Sequence, residues 1–286
     1  MSSSSTSGPI ICDVCWHHCA IPEGGVGFCR ARTCRDGRVA AGNYGRLTSI
    51  AVDPVEKKPL AEWHPGCRVL SVGSYGCNMR CPFCQNFEIS QGGAGGVPWR
   101  EVSPHELVDL AQDCARRDPT VIGIAHTYNE PLVGWEYVRD CSELAHEKGL
   151  TNVLVSNGCA STHVVGALAP LLDAANIDLK CFSAEGYQGL GGCLDDVRAT
   201  IETLGTSPSC HLEVTTLIVP GLNDSEAAMR QEAAWLAEID RSIVLHVTRF
   251  FPRWHMADAR PTPISCVMRL ADVARECLPH VHVGNC

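Results

Sequence analysis

Three cysteines crowd one short stretch, YGCNMRCPFCQN: Cys77, Cys81 and Cys84, spaced Cys-x3-Cys-x2-Cys. Thiolates so close together bind metal. A structural zinc site takes four protein ligands and closes its coordination sphere. No fourth cysteine follows locally; the next is Cys114. Three thiolates suit an iron–sulfur cube in which one iron keeps an open position, and an open position separates a reactive metal site from a closed one. The alternative is a zinc knuckle completed by a distant cysteine or histidine.

A second set stands near the start, in CDVCWHHCAIPEGGVGFC. Cys12, Cys15, Cys19 and Cys29 offer four thiolates, and Gly24, Gly25 and Gly27 let the backbone turn back. Zinc or a second iron–sulfur cluster would fit such a set. His17, His18 and Cys34 are spare ligands. A loop this poor in apolar residues has little besides a metal to order it.

These loops need elements to position them. Six apolar runs recur: RVLSVGSYG (68–76), VIGIAHTY (121–128), NVLVSNG (152–158), NIDLKCF (176–182), LEVTTLIVPG (212–221) and IVLHVTRF (243–250). Helix-like segments lie near 103–117, 133–148, 161–172, 193–205 and 225–239. Ser103-Pro104 with Glu106, and Ser225 with Glu226, mark helix starts. Strand then helix, repeated, predicts parallel strands joined by crossovers, and runs apolar on both faces predict strands covered on both sides. The expected fold is α/β: a partial (β/α)6 TIM-like barrel with a small N-terminal Cys-rich metal-binding knuckle and a β-hairpin around Asn43-Tyr44-Gly45. The expected boundaries are a disordered polar tail over 1–8, knuckle and hairpin over 9–66, and barrel with a C-terminal extension over 67–286. That extension has a helix near 264–278 and a short apolar end, HVHVGNC.

In such a barrel the working face is where strand C-termini meet the following loops. The three-thiol loop follows the first strand. Glu130 follows the second, in HTYNEP, and Ser156-Asn157 ends the third. Asp178 and Lys180 share one face of the fourth by alternation, as a ligand-binding pair or as a buried structural pair. The sixth brings His246 and Arg249; the arginine binds a carboxylate or closes the mouth.

Composition removes several classes. The net charge is −9, against a nucleic-acid binder, which needs a basic footprint. No run reaches the length of a membrane span, and the opening MSSSSTSGPII lacks the basic flank and apolar core of a secretory signal. The cytoplasm is the expected location. Eighteen cysteines without an export signal read as reduced thiols and metal ligands rather than a disulfide scaffold; Cys114, Cys141, Cys266 and Cys277 read as small apolar packing residues.

The Cys-x3-Cys-x2-Cys spacing, with Phe83 before the third cysteine, resembles the signature of the radical S-adenosylmethionine (SAM) superfamily. That resemblance implies a [4Fe–4S] cluster on Cys77, Cys81 and Cys84, with SAM chelating the free iron. It implies a 5′-deoxyadenosyl radical that abstracts hydrogen from substrate. It also implies cofactor contacts from Phe83, Gln85, Asn129, Glu130, Ser156, Asn157, Asp178 and Lys180, with Glu130 near the amino group of SAM. Many members carry Gly-Gly before that Glu-Pro; Tyr128 and Asn129 stand here instead. DPVEKKPL, GCNMRCPFCQN, HTYNEP, SNG, IDLKCF, VTTLIVPGLND, LHVTRFFP and VHVGN follow one another in order. Together they resemble the radical SAM component of the AmmeMemoRadiSam system, which is similar to pyruvate formate-lyase activating enzymes. Two family segments differ here, as Trp254-His255-Met256 and Cys15-Trp16-His17. The resemblance implies a protein substrate or system partner and an electron donor such as flavodoxin or ferredoxin. A small-molecule substrate, or a non-catalytic metal-binding scaffold, are the alternative readings.

Overall fold

A computed structural model describes residues 8–286; the expected polar tail lies outside them except for Gly8. Eight strands form the main sheet: β1 (Ser49–Pro54), β2 (Arg68–Gly73), β3 (Val121–His126), β4 (Thr151–Ser156), β5 (Ala174–Asp178), β6 (His211–Ile218), β7 (Val244–Arg249) and β8 (Val281–Gly284). Their order in space is their order in sequence. All neighbours from β2 to β8 pair in parallel, and β1 pairs antiparallel with β2. The six expected runs are β2 to β7. The sheet is open, with β1 and β8 as its edges.

Helices α1 (Pro104–Arg117), α2 (Trp135–Glu147), α3 (Thr162–Leu168), α4 (Leu194–Gly205), α5 (Glu226–Ile239) and α6 (Ile264–Arg275) connect the strands. Local chemistry sets their starts. Ser103 and Glu106 form a reciprocal capping box at α1, and the Ser225 hydroxyl accepts from the Ala228 amide at α5. All eighteen cysteines are unpaired thiols. Cys141 is fully buried, while Cys114, Cys266 and Cys277 are half-buried against the core. Among the described residues, no helix is long and apolar enough to cross a membrane.

Two expectations are corrected. The hairpin is not at Asn43-Tyr44-Gly45 but pairs Arg32–Arg35 with Arg38–Ala41 across Asp36-Gly37. Both turn residues there have positive φ, which suits a two-residue hairpin turn. Asn43 to Gly45 form a turn too, but the strand after it, Arg46–Leu47, pairs with Arg100–Glu101 instead. The boundary at 66/67 also fails to divide the sheet, because β1 belongs to it. A free strand edge beside β2 is satisfied by pairing, and β1 is near enough in sequence to supply it.

Between β1 and β2 the chain runs as a strap through the interior of the sheet's curve. Val55, Leu60 and Trp63 pack against Val69, Ala125, Val153 and Ala174, which come from β2 to β5. Buried Glu213 on β6 anchors the strap, accepting from the Ala61 and Glu62 amides, each at 2.9 Å, and from His211 and His246. Glu62 in turn reaches His280, just before β8, and His282 within it at 3.0 and 2.9 Å. The strap therefore links the two open edges that no ladder joins. Burial raises the Glu213 carboxyl, but the bonds from His211, His246 and the two amides lower it further, to about 2. Its stabilisation is thus present above its unfolded value near 4.5 and lost as pH falls through about 2. Glu213→Ala is expected to remove about 3–5 kcal/mol of unfolding free energy and to flatten that acid limb, read by urea denaturation across pH.

Candidate functional site

The C-terminal ends of the strands enclose a cavity of about 280 Å³. Cys77, Cys81, Phe83, Cys84 and Gln85 line it from the loop after β2. Asn129 and Glu130 reach it after β3, Ser156 and Asn157 at the end of β4, and Asp178 and Lys180 at the end of β5. All the residues expected at the three-thiol site thus meet in one place. The strap supplies Pro59 at the floor, held by a 2.8 Å bond from Asn176 to its carbonyl. A larger groove of about 1080 Å³ lies beside the hairpin, between Arg30, Arg35, Arg38 and Arg46; it holds none of the expected site residues.

Cys77 Sγ accepts from the Met79 amide at 3.3 Å and from Asn157 Nδ2 at 3.6 Å. Lys180 pairs with Asp178 at 2.7 Å. Burial pushes the Cys81 thiol up to about 12, while the Lys180 charge pulls it down. Such buried thiols become thiolates when a metal replaces the proton. Aromatic residues shield the loop: Phe83 meets Phe250, and Phe87 stacks on Trp254. The His255 amide donates to the Pro82 carbonyl at 3.0 Å, so the segment after β7 covers the cysteines.

Glu130 is only 2% exposed. Its carboxylate accepts from Ser156 Oγ at 2.7 Å and from the Leu132 and Asn157 amides at 2.9 and 2.8 Å. Burial pushes its carboxyl up to about 7 against the pull of those bonds, and the Asp178 charge adds to the rise. Among the described residues it has no cationic partner. A buried carboxylate with ordered acceptors and no counter-charge, facing a cavity, suits a cationic or amino-bearing ligand.

The radical SAM superfamily pattern matches residues 71–233. The chain belongs to the radical SAM superfamily. An uncharacterized protein of Methanocaldococcus jannaschii is 37% identical over 280 residues, spanning 96% of this chain and 80% of that one. A pyruvate formate-lyase-activating enzyme of Clostridium pasteurianum is 27% identical over 177 residues, 59% of this chain and 69% of that one. Among solved structures, Streptococcus suis SuiB bound to its precursor peptide SuiA has a TM-score of 0.55 at 13% identity, covering 74% of this chain and 47% of that one. At that identity the likeness concerns the fold.

Radical SAM enzymes use a [4Fe–4S] cluster and SAM. The cavity fits both. It combines three thiols in the superfamily's spacing, an uncompensated carboxylate, and Thr215 Oγ1, buried on the lining without a hydrogen-bond partner among the described residues. Neither cysteine set gathers three ligands about a point that one ion would fill, among the described residues; a cluster instead spreads its thiolates over separate irons.

Several side chains expected at the cofactor are held by protein partners. Ser156 Oγ serves Glu130 and the Gly158 amide. Asn157 bonds Asn78 Oδ1 and the Cys159 amide besides Cys77. Asn129 bridges the Ser74 amide and the Tyr75 and Gly76 carbonyls, fixing the two loops together. His246 faces Glu213 rather than the cavity. Arg249 is not on the cavity lining; it donates to the Thr262 carbonyl at 2.7 Å and lies over Phe251.

The sequence reading missed Tyr128. It has φ of +72°, the region a glycine of the usual Gly-Gly pair would occupy without strain. Its hydroxyl donates to Asp53 at 2.6 Å, and buried Lys58 binds the same carboxylate at 2.8 Å and lies over the ring. Asp53 and Lys58 stand in DPVEKKPL, so that segment has a structural reason: it pins the strained residue. Asn86 and Asn285, the last residues of the GCNMRCPFCQN and VHVGN segments, also line the cavity, though neither was expected at the site. Gly73 is required opposite the ring, because a Cβ there would lie 2.9 Å from Tyr128 Cβ. Tyr128→Phe is expected to lose about 1 kcal/mol and Gly73→Ala about 1–3 kcal/mol, measured by chemical denaturation.

Proposed function

We propose that this protein is the radical SAM component of an AmmeMemoRadiSam system. In this reading it acts, in the manner of a glycyl-radical activase, on a protein or peptide substrate. When bound, the cluster and SAM supply one-electron cleavage of a sulfonium and removal of a hydrogen atom from substrate. Cys77, Cys81 and Cys84 ligate the cluster. Glu130 accepts from the amino group of SAM and balances its positive charge. Ser156, Asn157 and the Leu132 amide hold that carboxylate at one angle. Lys180, with Asp178, faces the thiolates as a counter-charge, and Phe83 with the Phe250 and Trp254 segment keeps water away.

The Glu130 carboxylate, without a counter-charge among the described residues and beside three half-buried thiols, carries the SAM reading. One comparison supports a peptide substrate, the 27% identity to a pyruvate formate-lyase-activating enzyme. A one-electron donor such as flavodoxin or ferredoxin supplies the electron.

Glu130 must be ionised to bind a cation. Its empty-site value near 7 means protons compete below that pH, with Asp178 and Cys77 as the facing acidic groups. SAM affinity of the cluster-loaded protein is expected to fall up to about tenfold per unit as pH drops below 7. Glu130→Gln is expected to weaken binding roughly tenfold to a hundredfold and abolish that pH dependence. An unchanged affinity would remove Glu130 from the site. For the substrate, deuterium should pass from a labelled partner protein into 5′-deoxyadenosine. Transfer only from a labelled metabolite would make the substrate a small molecule.

A further inference from the structure

The groove of about 1080 Å³ beside the hairpin is walled by arginine. Arg30, Arg35 and Arg38 are exposed and Arg46 is half-buried. Among the described residues, none of the four meets a carboxylate, although Asp36 and Glu101 also line the groove. Arginines elsewhere do pair: Arg68 with Asp118, Arg139 with Asp140, Arg230 with Glu276 and Arg269 with Glu226. The whole chain carries −9, so this concentration of positive charge runs against its composition.

The local geometry keeps these charges uncompensated. Arg35 and Arg38 stand directly opposite each other where the hairpin closes, and like charges so placed repel. Arg46 is opposite Glu101 in its own ladder, yet its guanidinium lies over the Trp99 ring, 4.4 Å from the centroid. Arg30 donates to the Gln91 backbone carbonyl, and to its side-chain oxygen at 3.3 Å. Neutral partners thus position Arg30 and Arg46 without cancelling their charge. A merely solvated face gains nothing from such repulsion and positioning. An anionic ligand relieves the first and uses the second.

The remaining lining indicates the kind of anion. Gly93, Gly95 and Gly96 present backbone along one side, and Val26 and Tyr44 are exposed apolar surface. An extended peptide can lie against bare backbone and small apolar patches while guanidinium forks take its carboxylates. A single phosphate would leave most of the groove empty. A nucleic-acid strand would run on across a surface of net negative charge. The groove also adjoins the three-thiol cavity. Tyr75 lines the groove, and Cys77, two residues on, lines the cavity. Arg30 follows Cys29, whose carbonyl accepts from the Cys77 amide at 3.2 Å. Gly76 permits that approach, because a Cβ there would lie 2.5 Å from the Cys29 carbonyl oxygen.

We propose that the arginine groove docks an acidic, extended segment of a partner protein and holds it beside the three-thiol cavity. That this partner also carries the reacting residue rests on the reading of a protein substrate; the docking itself does not. Tethering one segment in the groove raises the local concentration of a neighbouring segment at the cavity mouth.

The test uses the full chain, reconstituted with iron and sulfide without oxygen, and a fluorescein-labelled octaglutamate peptide read by fluorescence anisotropy. The native chain should bind it, and more weakly as salt rises from about 0.05 to 0.5 M. R35E/R38E should weaken binding at least about tenfold, and the milder R35Q/R38Q should weaken it in the same direction. R241E, at an exposed arginine between α5 and β7 and away from the groove, should bind as the native chain does. Equal affinity in R35E/R38E and the native chain, or an equal loss in R241E, overturns the proposal. Displacement by free glutamate or inorganic phosphate at matched charge makes the groove a small-anion site and overturns it too. Tighter binding of a single-stranded oligonucleotide that R35E/R38E abolishes overturns it in favour of nucleic acid. SAM cleavage driven by dithionite alone should be unchanged in R35E/R38E; its loss there would show that the groove is no separate site. A native chain that binds the peptide in this arginine-dependent way but cleaves no SAM supports the docking groove and overturns the reading of the cavity.

Discussion

Glu213 accepts hydrogen bonds from two backbone amides of the strap between β1 and β2, and the cavity floor depends on that attachment. Seven parallel strands in sequential order make a curved sheet whose first and last members do not pair. An open curve of that kind leaves its interior to be filled. The strap fills it with Val55, Leu60 and Trp63 from the N-terminal side, which leaves only the opposite side free for a ligand. Burying a carboxylate is costly unless every lone pair is used. Glu213 uses four donors, two amides and two imidazoles, so the same group that would destabilise an apolar interior fixes the strap's height and register.

Two buried carboxylates show how environment assigns roles. Glu213 is surrounded by donors and held far below the ordinary range. Glu130 also accepts three bonds, yet burial keeps its carboxyl near 7. The difference is what faces each: histidines and amides at Glu213, an open cavity with the Asp178 charge nearby at Glu130. The first is a satisfied anchor. The second lines the cavity with no counter-charge among the described residues. Lys180 does the opposite work on the far wall, placing a cation by thiols that become anionic on metal binding.

Positive φ at Tyr128 and close backbone approach at Gly76 mark where loops from different strands are forced together. Each is compensated. Asp53 and Lys58 pin the Tyr128 side chain, and Gly76 accommodates the Cys29 carbonyl. Strain at a ligand site persists when surrounding bonds over-determine it, and here those bonds come from the strap end and the cysteine knuckle. Both N-terminal segments therefore shape the cavity, although neither contributes a strand to its parallel wall.

Short-range pattern carried much of this protein. Cysteine spacing at 77, 81 and 84, alternation at Asp178 and Lys180, and the Ser103–Glu106 capping box all depend on neighbours within a turn or a strand, so the residues alone set them. The order of apolar runs likewise set the parallel barrel. Tertiary structure decided the rest, because it concerns partners far apart in the chain. β1 joined the sheet as an edge since β2 had an unpaired side, and the hairpin moved to Asp36-Gly37, where positive φ was available. Ser156 and Asn157 spent their bonds on Glu130 once strand order made β3 and β4 adjacent. Only packing could reveal that Glu130 lacks a counter-charge, or that Cys29 touches Cys77, for burial and contact arise when separate segments exclude water together.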